Sequence, residues 1–156
     1  MKKIIKFFVA VLVCELVGIL SMPFTISAIS SWYTTLNKPF FSPPNWIFGP
    51  VWTLLYFLMG IAAFLIWEKG LKNKKVKIAL FFFITQLFFN FLWSVLFFGL
   101  KSPILAFVDI VLLMLFILMT YFQFLRISKA AAYILIPYIL WVTFASLLNL
   151  SIVLLN

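Results

Sequence analysis

The segment Trp32–Trp52, WYTTLNKPFFSPPNWIFGPVW, is the one long irregular stretch between apolar runs. Pro39, Pro43, Pro44 and Pro50 each fix φ, remove a backbone donor and bias the residue before them away from helix, so most of this segment is not membrane-spanning helix. The backbone is stiff, and Trp32, Tyr33, Phe40, Phe41, Trp46 and Phe48 punctuate it. That combination suits seating at a membrane interface or capping a pocket beneath, and the flanking sequence decides what it would cap.

Outward from this segment the chain is mostly apolar: 67% of its residues are hydrophobic and its mean hydropathy is +1.25, well above a soluble domain, which is roughly half apolar. A helix needs about 20 apolar residues to cross a bilayer. The 156 residues therefore hold five spans and little else. The expectation is an all-α, polytopic five-helix bundle forming one domain, 1–156, with spans near 4–26, 47–67, 78–99, 103–125 and 130–154. Nothing alternates like the strands of a barrel, and helices satisfy their own backbone hydrogen bonds in lipid. The connections Leu100–Ser102 and Arg126–Lys129 are short, which makes spans three, four and five antiparallel neighbours in sequence order. Lys2, Lys3 and Lys6 ahead of an apolar run imitate a signal peptide, but Phe7–Ile26 is too long for its apolar core and long enough to span.

The net charge of +9 points to topology and not to nucleic acid, because the basic residues fall between apolar runs. With alternating crossings, Lys2, Lys3, Lys6, Lys69, Lys72, Lys74, Lys75, Lys77, Arg126 and Lys129 collect on one side, and only Lys38 and Lys101 on the other. The amino terminus is then cytoplasmic, and the Pro-rich segment and carboxyl terminus lie outside, in the cell membrane of a bacterium or archaeon. The absence of His removes the usual zinc triads, Ser/His/Asp catalysis and His-ligated haem. The single Cys14 permits no internal disulfide.

Polar and aromatic residues inside the spans recur on single helix faces. Span two aligns Trp52, Tyr56, Gly60, Ala63 and Trp67; span three aligns Gln86, Asn90, Trp93 and Phe97; span five aligns Pro137, Tyr138, Trp141, Ala145 and Asn149, with Pro137 expected to bend the helix. Two readings stand for each face, a packing seam glued by amides or a ligand-facing wall. Asp109 and Glu15 are intramembrane acids and expensive there; Asp109 is expected to face the bundle, whereas Glu15 is open between a partner and a cavity. Trp52, Asn90, Trp93 and Asp109 fall in the half nearer the Pro-rich segment and Trp141 nearer the midplane. Together they describe an aromatic-walled cavity with a few polar groups.

These residues resemble the tryptophan-rich sensory protein / translocator protein family, the peripheral-type benzodiazepine receptors. The resemblance runs through Lys38-Pro39, Ser42-Pro43-Pro44, Trp46, Phe48-Gly49-Pro50-Val51-Trp52 and Tyr56, then Gln86, Asn90, Trp93-Ser94 and Phe97-Phe98-Gly99. It continues through Ala106, Asp109, Pro137-Tyr138, Trp141, Phe144-Ala145 and Asn149. It implies a five-helix bundle, commonly a homodimer, in membrane lipid, binding porphyrins, sterols and benzodiazepine- or isoquinoline-like compounds. The implied ligand-binding residues are Tyr33, Trp52, Tyr56, Asn90, Trp93, Asp109, Trp141, Ala145 and Leu148, under a lid of Pro39, Pro43, Pro44 and Trp46. No metal or cofactor is required; porphyrin is a ligand. The resemblance also carries alternatives: light-dependent porphyrin degradation with Trp52 and Trp141 as the catalytic pair, or transport of tetrapyrroles or sterols. The family's cholesterol motif at the end of span five is missing, since nothing after Lys129 is basic.

The charge asymmetry generates a topology test. A cysteine placed at Asn156 is expected to react with an impermeant thiol reagent on intact cells; reaction only after permeabilisation would invert the assignment.

Overall fold

A computed structural model describes residues 1–156, which form helices and short connections with no strand. The helices are α1 (Lys3–Ile29), α2 (Phe48–Trp67), α3 (Lys74–Ser94), α4 (Pro103–Leu125), the short α5 (Lys129–Ile134) and α6 (Ile136–Leu155). Because α5 runs into α6, the chain has five segments long and apolar enough to cross a membrane. Their starts follow local chemistry. Asn73 accepts from the Lys75 N–H, Ser102 from Leu105 and Ser128 from Ala131, so each caps a helix with a side-chain oxygen. Pro103 occupies the first turn of α4, where its missing donor costs nothing.

The expected bend in the fifth span falls at Leu135, between α5 and α6, with Pro137 in the first turn of α6. Proline cannot donate to the carbonyl one turn back and its ring crowds that carbonyl, so the break lies ahead of it. A second irregularity, which hydropathy does not register, ends α3. Val95–Gly99 forms a π turn, with the Leu100 N–H bonded to the Val95 carbonyl at 2.8 Å.

Around the bundle the order is α1, α2, α5/α6, α4, α3, with α3 returning to α1 through the π turn. Spans three, four and five are neighbours in sequence order, as the short connections imply. In contrast, α2 packs along α5 but scarcely touches α6, so these two diverge towards the Trp32–Trp52 loop. That divergence opens the interior at one end of the bundle.

Lipid tails are as apolar as leucine, so helices associate here through close packing and polar contacts. Gly60 is one such point: a Cβ there would sit 2.6 Å from the Val11 Cα and 3.1 Å from its nitrogen, so α1 and α2 touch backbone to backbone. The Gly60–Ala63 part of the α2 face is therefore a packing seam. At the end away from the loop, Lys6 lies over the Trp67 ring at 5.7 Å and Lys3 pairs with Glu68 at 3.4 Å.

Gly60→Ala is expected to lower the melting temperature in detergent by about 2 to 10 °C, since overpacking against immovable backbone costs roughly 1–3 kcal/mol. Gly49→Ala is the control, because its Cβ would meet nothing within 4 Å. Equal melting temperatures for the two variants would dissolve the seam assignment.

Candidate functional site

Where α2 and α6 diverge lies a cavity of about 360 Å³, within the range of small-molecule sites. Its walls come from α1, α2, α3 and α6, with Ile110 and Leu113 of α4 behind them. Aromatic rings dominate: Trp52 and Tyr56 lie 5.6 Å apart on α2, Trp93 stacks on Phe97 at 4.9 Å, and Trp141 contacts Phe48 and Phe144. Ala145, one turn beyond Trp141, keeps the α6 wall shallow.

The floor is a polar chain. The Tyr56 hydroxyl donates to Asn90 Oδ1, Asn90 Nδ2 donates to the Tyr138 oxygen at 2.8 Å, and the Tyr138 hydroxyl donates to Gln86 Oε1 at 2.7 Å. Gln86 Nε2 ends against the Met59 sulfur at 3.7 Å. A second set fixes Trp93, whose Nε1 donates to Asn149 Oδ1 at 2.9 Å while Asn149 Nδ2 donates to the Pro103 carbonyl at 2.9 Å. Gln86 is therefore glue, 1% exposed. Asn90 is glue and cavity wall at once.

Of the residues implied for the site, Tyr33, Trp52, Tyr56, Asn90, Trp93, Trp141, Ala145 and Leu148 all line this cavity. Asp109 does not. It faces into the bundle as expected, 3% exposed with both carboxyl oxygens unpartnered, but α4 turns Ile110 and Leu113 to the cavity instead. One residue is about 100° of helix, which carries Asp109 off that line.

The loop covers the site in a particular way. Tyr33 is buried against Phe97 and Phe98 and lines the cavity, and burial pushes its phenol above the ordinary range, against a smaller opposing pull from Ser42. Lys38 holds Tyr33 from above, its Nζ 4.6 Å from the ring centroid and 2.9 Å from the Tyr33 carbonyl. Asn37 is clamped to the end of α6: its N–H donates to Asn156 Oδ1 at 3.0 Å, and Asn156 Nδ2 donates to its carbonyl at 2.9 Å. The named lid residues sit further out. Pro39, Pro43, Pro44 and Trp46 contribute nothing to the lining, and Trp46 and Phe40 are 73% and 100% exposed. Of the two roles open to this segment's aromatics, Trp46 and Phe40 have the outward placement of interface anchors, and Tyr33 and Phe48 face the cavity.

Sequence reasoning missed the α1 wall. Glu15, Gly18, Met22, Thr25 and Ile29 all line the cavity, and their spacing of three, four, three and four is one helix face. Small and polar residues on an otherwise lipid-facing helix were the available signal. The lining residues that are exposed, Ile19, Met22, Ile26, Asn45, Gly49 and Thr53, border the seam between α1 and the start of α2. The cavity is therefore open sideways, along that seam.

Comparison with known proteins shows the family. The family model described as TspO/MBR family matches residues 10–155. The tryptophan-rich protein TspO of Archaeoglobus fulgidus is 46% identical over 153 residues, 98% of this chain and 98% of that protein. The protein of the same name from Chlorobaculum tepidum is 43% identical over 155 residues, 99% of this chain and 98% of that protein. The translocator protein of Homo sapiens is 37% identical over 119 residues, 76% of this chain and 70% of that protein. Matched over nearly its whole length and built from five apolar helices, this integral membrane protein belongs to the TspO/MBR family.

Proposed function

We propose that this protein binds flat hydrophobic ligands, tetrapyrroles foremost and benzodiazepine- or isoquinoline-like compounds besides, within the membrane. One observation carries the reading: tryptophans from three helices, Trp52, Trp93 and Trp141, line a single cavity with amide and phenol groups at its floor. Stacking supplies most of the affinity and the polar floor sets orientation. With no His in the chain, a metalloporphyrin would be held by its faces and not by axial imidazole.

The orientation that accompanies this reading puts the Lys-rich end in the cytoplasm, so the sideways opening meets the outer leaflet. A continuous passage would need an exit at the other end. There the Tyr56–Asn90–Tyr138–Gln86 chain fills the bundle, which favours binding over transport. A second reading, light-dependent porphyrin breakdown, draws on Trp52 and Trp141 lining the same cavity, where their indoles would lie against one ligand.

Quenching of tryptophan fluorescence by protoporphyrin in the dark tests the first reading. Saturable binding is expected for the wild type, weakened about tenfold in Trp141→Ala, since a lost ring forfeits stacking together with its buried area. Unchanged binding in a Trp52→Ala, Trp141→Ala double variant would place the ligand elsewhere. Illumination of the same samples separates the second reading, which expects loss of the bound porphyrin spectrum in the wild type and not in that double variant.

A further inference from the structure

The hydrogen bonds of the cavity floor all run one way. Gln86 turns its amide nitrogen to the Met59 sulfur, which leaves its oxygen to accept from Tyr138. Tyr138 must then accept from Asn90, and Asn90 from Tyr56. The Tyr56 proton is thereby committed away from the cavity, and what Tyr56 offers a ligand is its oxygen. On the facing α1 wall, Ser21 donates its hydroxyl proton to the Val17 carbonyl at 2.8 Å and Thr25 to the Ser21 carbonyl. Ser21 thus turns its proton to its own helix beside Tyr56, and Thr25, at 3.5 Å, does so only weakly.

Glu15 stands at the same end of the cavity. A Cβ on Gly18 would lie 2.8 Å from the Tyr56 ring, and Glu15 is one turn before Gly18 on the same face, about 4.5 Å along the axis. The ion pair of the bundle joins Lys3 to Glu68 and leaves Glu15 without a basic partner. The nearest basic residue on its own helix, Lys6, is two and a half turns away. A carboxyl group within a membrane span is costly unless something answers it. Glu15 faces the cavity, so a ligand held there is placed to supply its counterpart.

We infer that Glu15, with the Tyr56 oxygen, forms an acceptor-only subsite at the deep end of the cavity that selects ligands whose buried end carries N–H donors, above all a protonated nitrogen. This rests on the reading of the cavity as a site for flat aromatic ligands and specifies which of them it prefers. A neutral ligand of the same shape gains the stacking but leaves the partly exposed Glu15 carboxyl and the free lone pair of Tyr56 unanswered.

The test uses two dyes of nearly identical shape, 9-aminoacridine, cationic near neutrality, and acridine, neutral in mildly alkaline buffer. Both are titrated by tryptophan quenching against purified protein in an uncharged maltoside detergent. The wild type is expected to prefer the cationic dye by about tenfold or more, and Glu15→Gln to bring that ratio close to one. Glu15→Asp, which keeps the carboxyl group, is expected to recover part of the preference. Reading the ratio cancels any general effect of a variant on the cavity. A preference that persists in Glu15→Gln, or no preference in the wild type, overturns the Glu15 assignment and leaves the aromatic site standing. Failure of both dyes to bind the wild type saturably removes the aromatic site and this inference with it.

Discussion

In hydrocarbon a buried amide or phenol has no water to fall back on, so each must find a partner inside the bundle. The Tyr56–Asn90–Tyr138–Gln86 chain meets that demand across α2, α3 and α6 at one level of the membrane. The Trp93–Asn149–Pro103 set does the same among α3, α6 and α4. These contacts determine which faces meet, because apolar surfaces alone are nearly indifferent between lipid and protein. They also close the cavity below, so the groups that hold the helices together are the ones that shape the site.

The five spans were legible because length and hydropathy are sufficient to place a membrane helix, and the caps Asn73, Ser102 and Ser128 sharpen its ends. The cavity-lining residues of α2, α3 and α6 follow the spacing and the family resemblance. Asp109 faces the bundle as its cost in lipid requires, but it stands outside the cavity lining, because an intramembrane acid signals burial without saying what it is buried against. Nor was the α1 wall legible as a wall: Gly18, Met22 and Thr25 are a weak signal on an apolar helix, and the divergence of α2 from α6 gives them a cavity to face. The break at Leu135 lay close to its expected cause, since Pro137 acts on the turn before it.

The loop owes its position to both stiffness and attachment. Its prolines limit the conformations it can visit, while the Asn37–Asn156 clamp and the grip of Lys38 on Tyr33 hold its first half to the bundle. Its second half returns to α2 past Phe144 and Trp141, contacted by Phe41 and Phe48. The seam between α1 and α2 is left with no comparable tie across it near Met22 and Thr53, which is why the site is walled above and open to the side.

The π turn at Val95–Gly99 is equivalent to an α-helix carrying one surplus residue; Leu100 closes it onto Val95, and Ser102 reaches back to Leu96 across the left-handed Lys101. The surplus sits between Trp93, fixed by Asn149, and Gly99, which must lie flush with Phe24. Both ends are therefore anchored to different neighbours with the turn count between them set. A changed length is absorbed more easily in the Glu68–Lys72 connection, ahead of the Asn73 cap, than an added residue is in this stretch. Because the turn absorbs its surplus residue locally, a chain shortened by a single residue here would close it as ordinary α-helix with the flanking faces nearly unmoved, whereas one residue more would turn everything beyond it by about 100°.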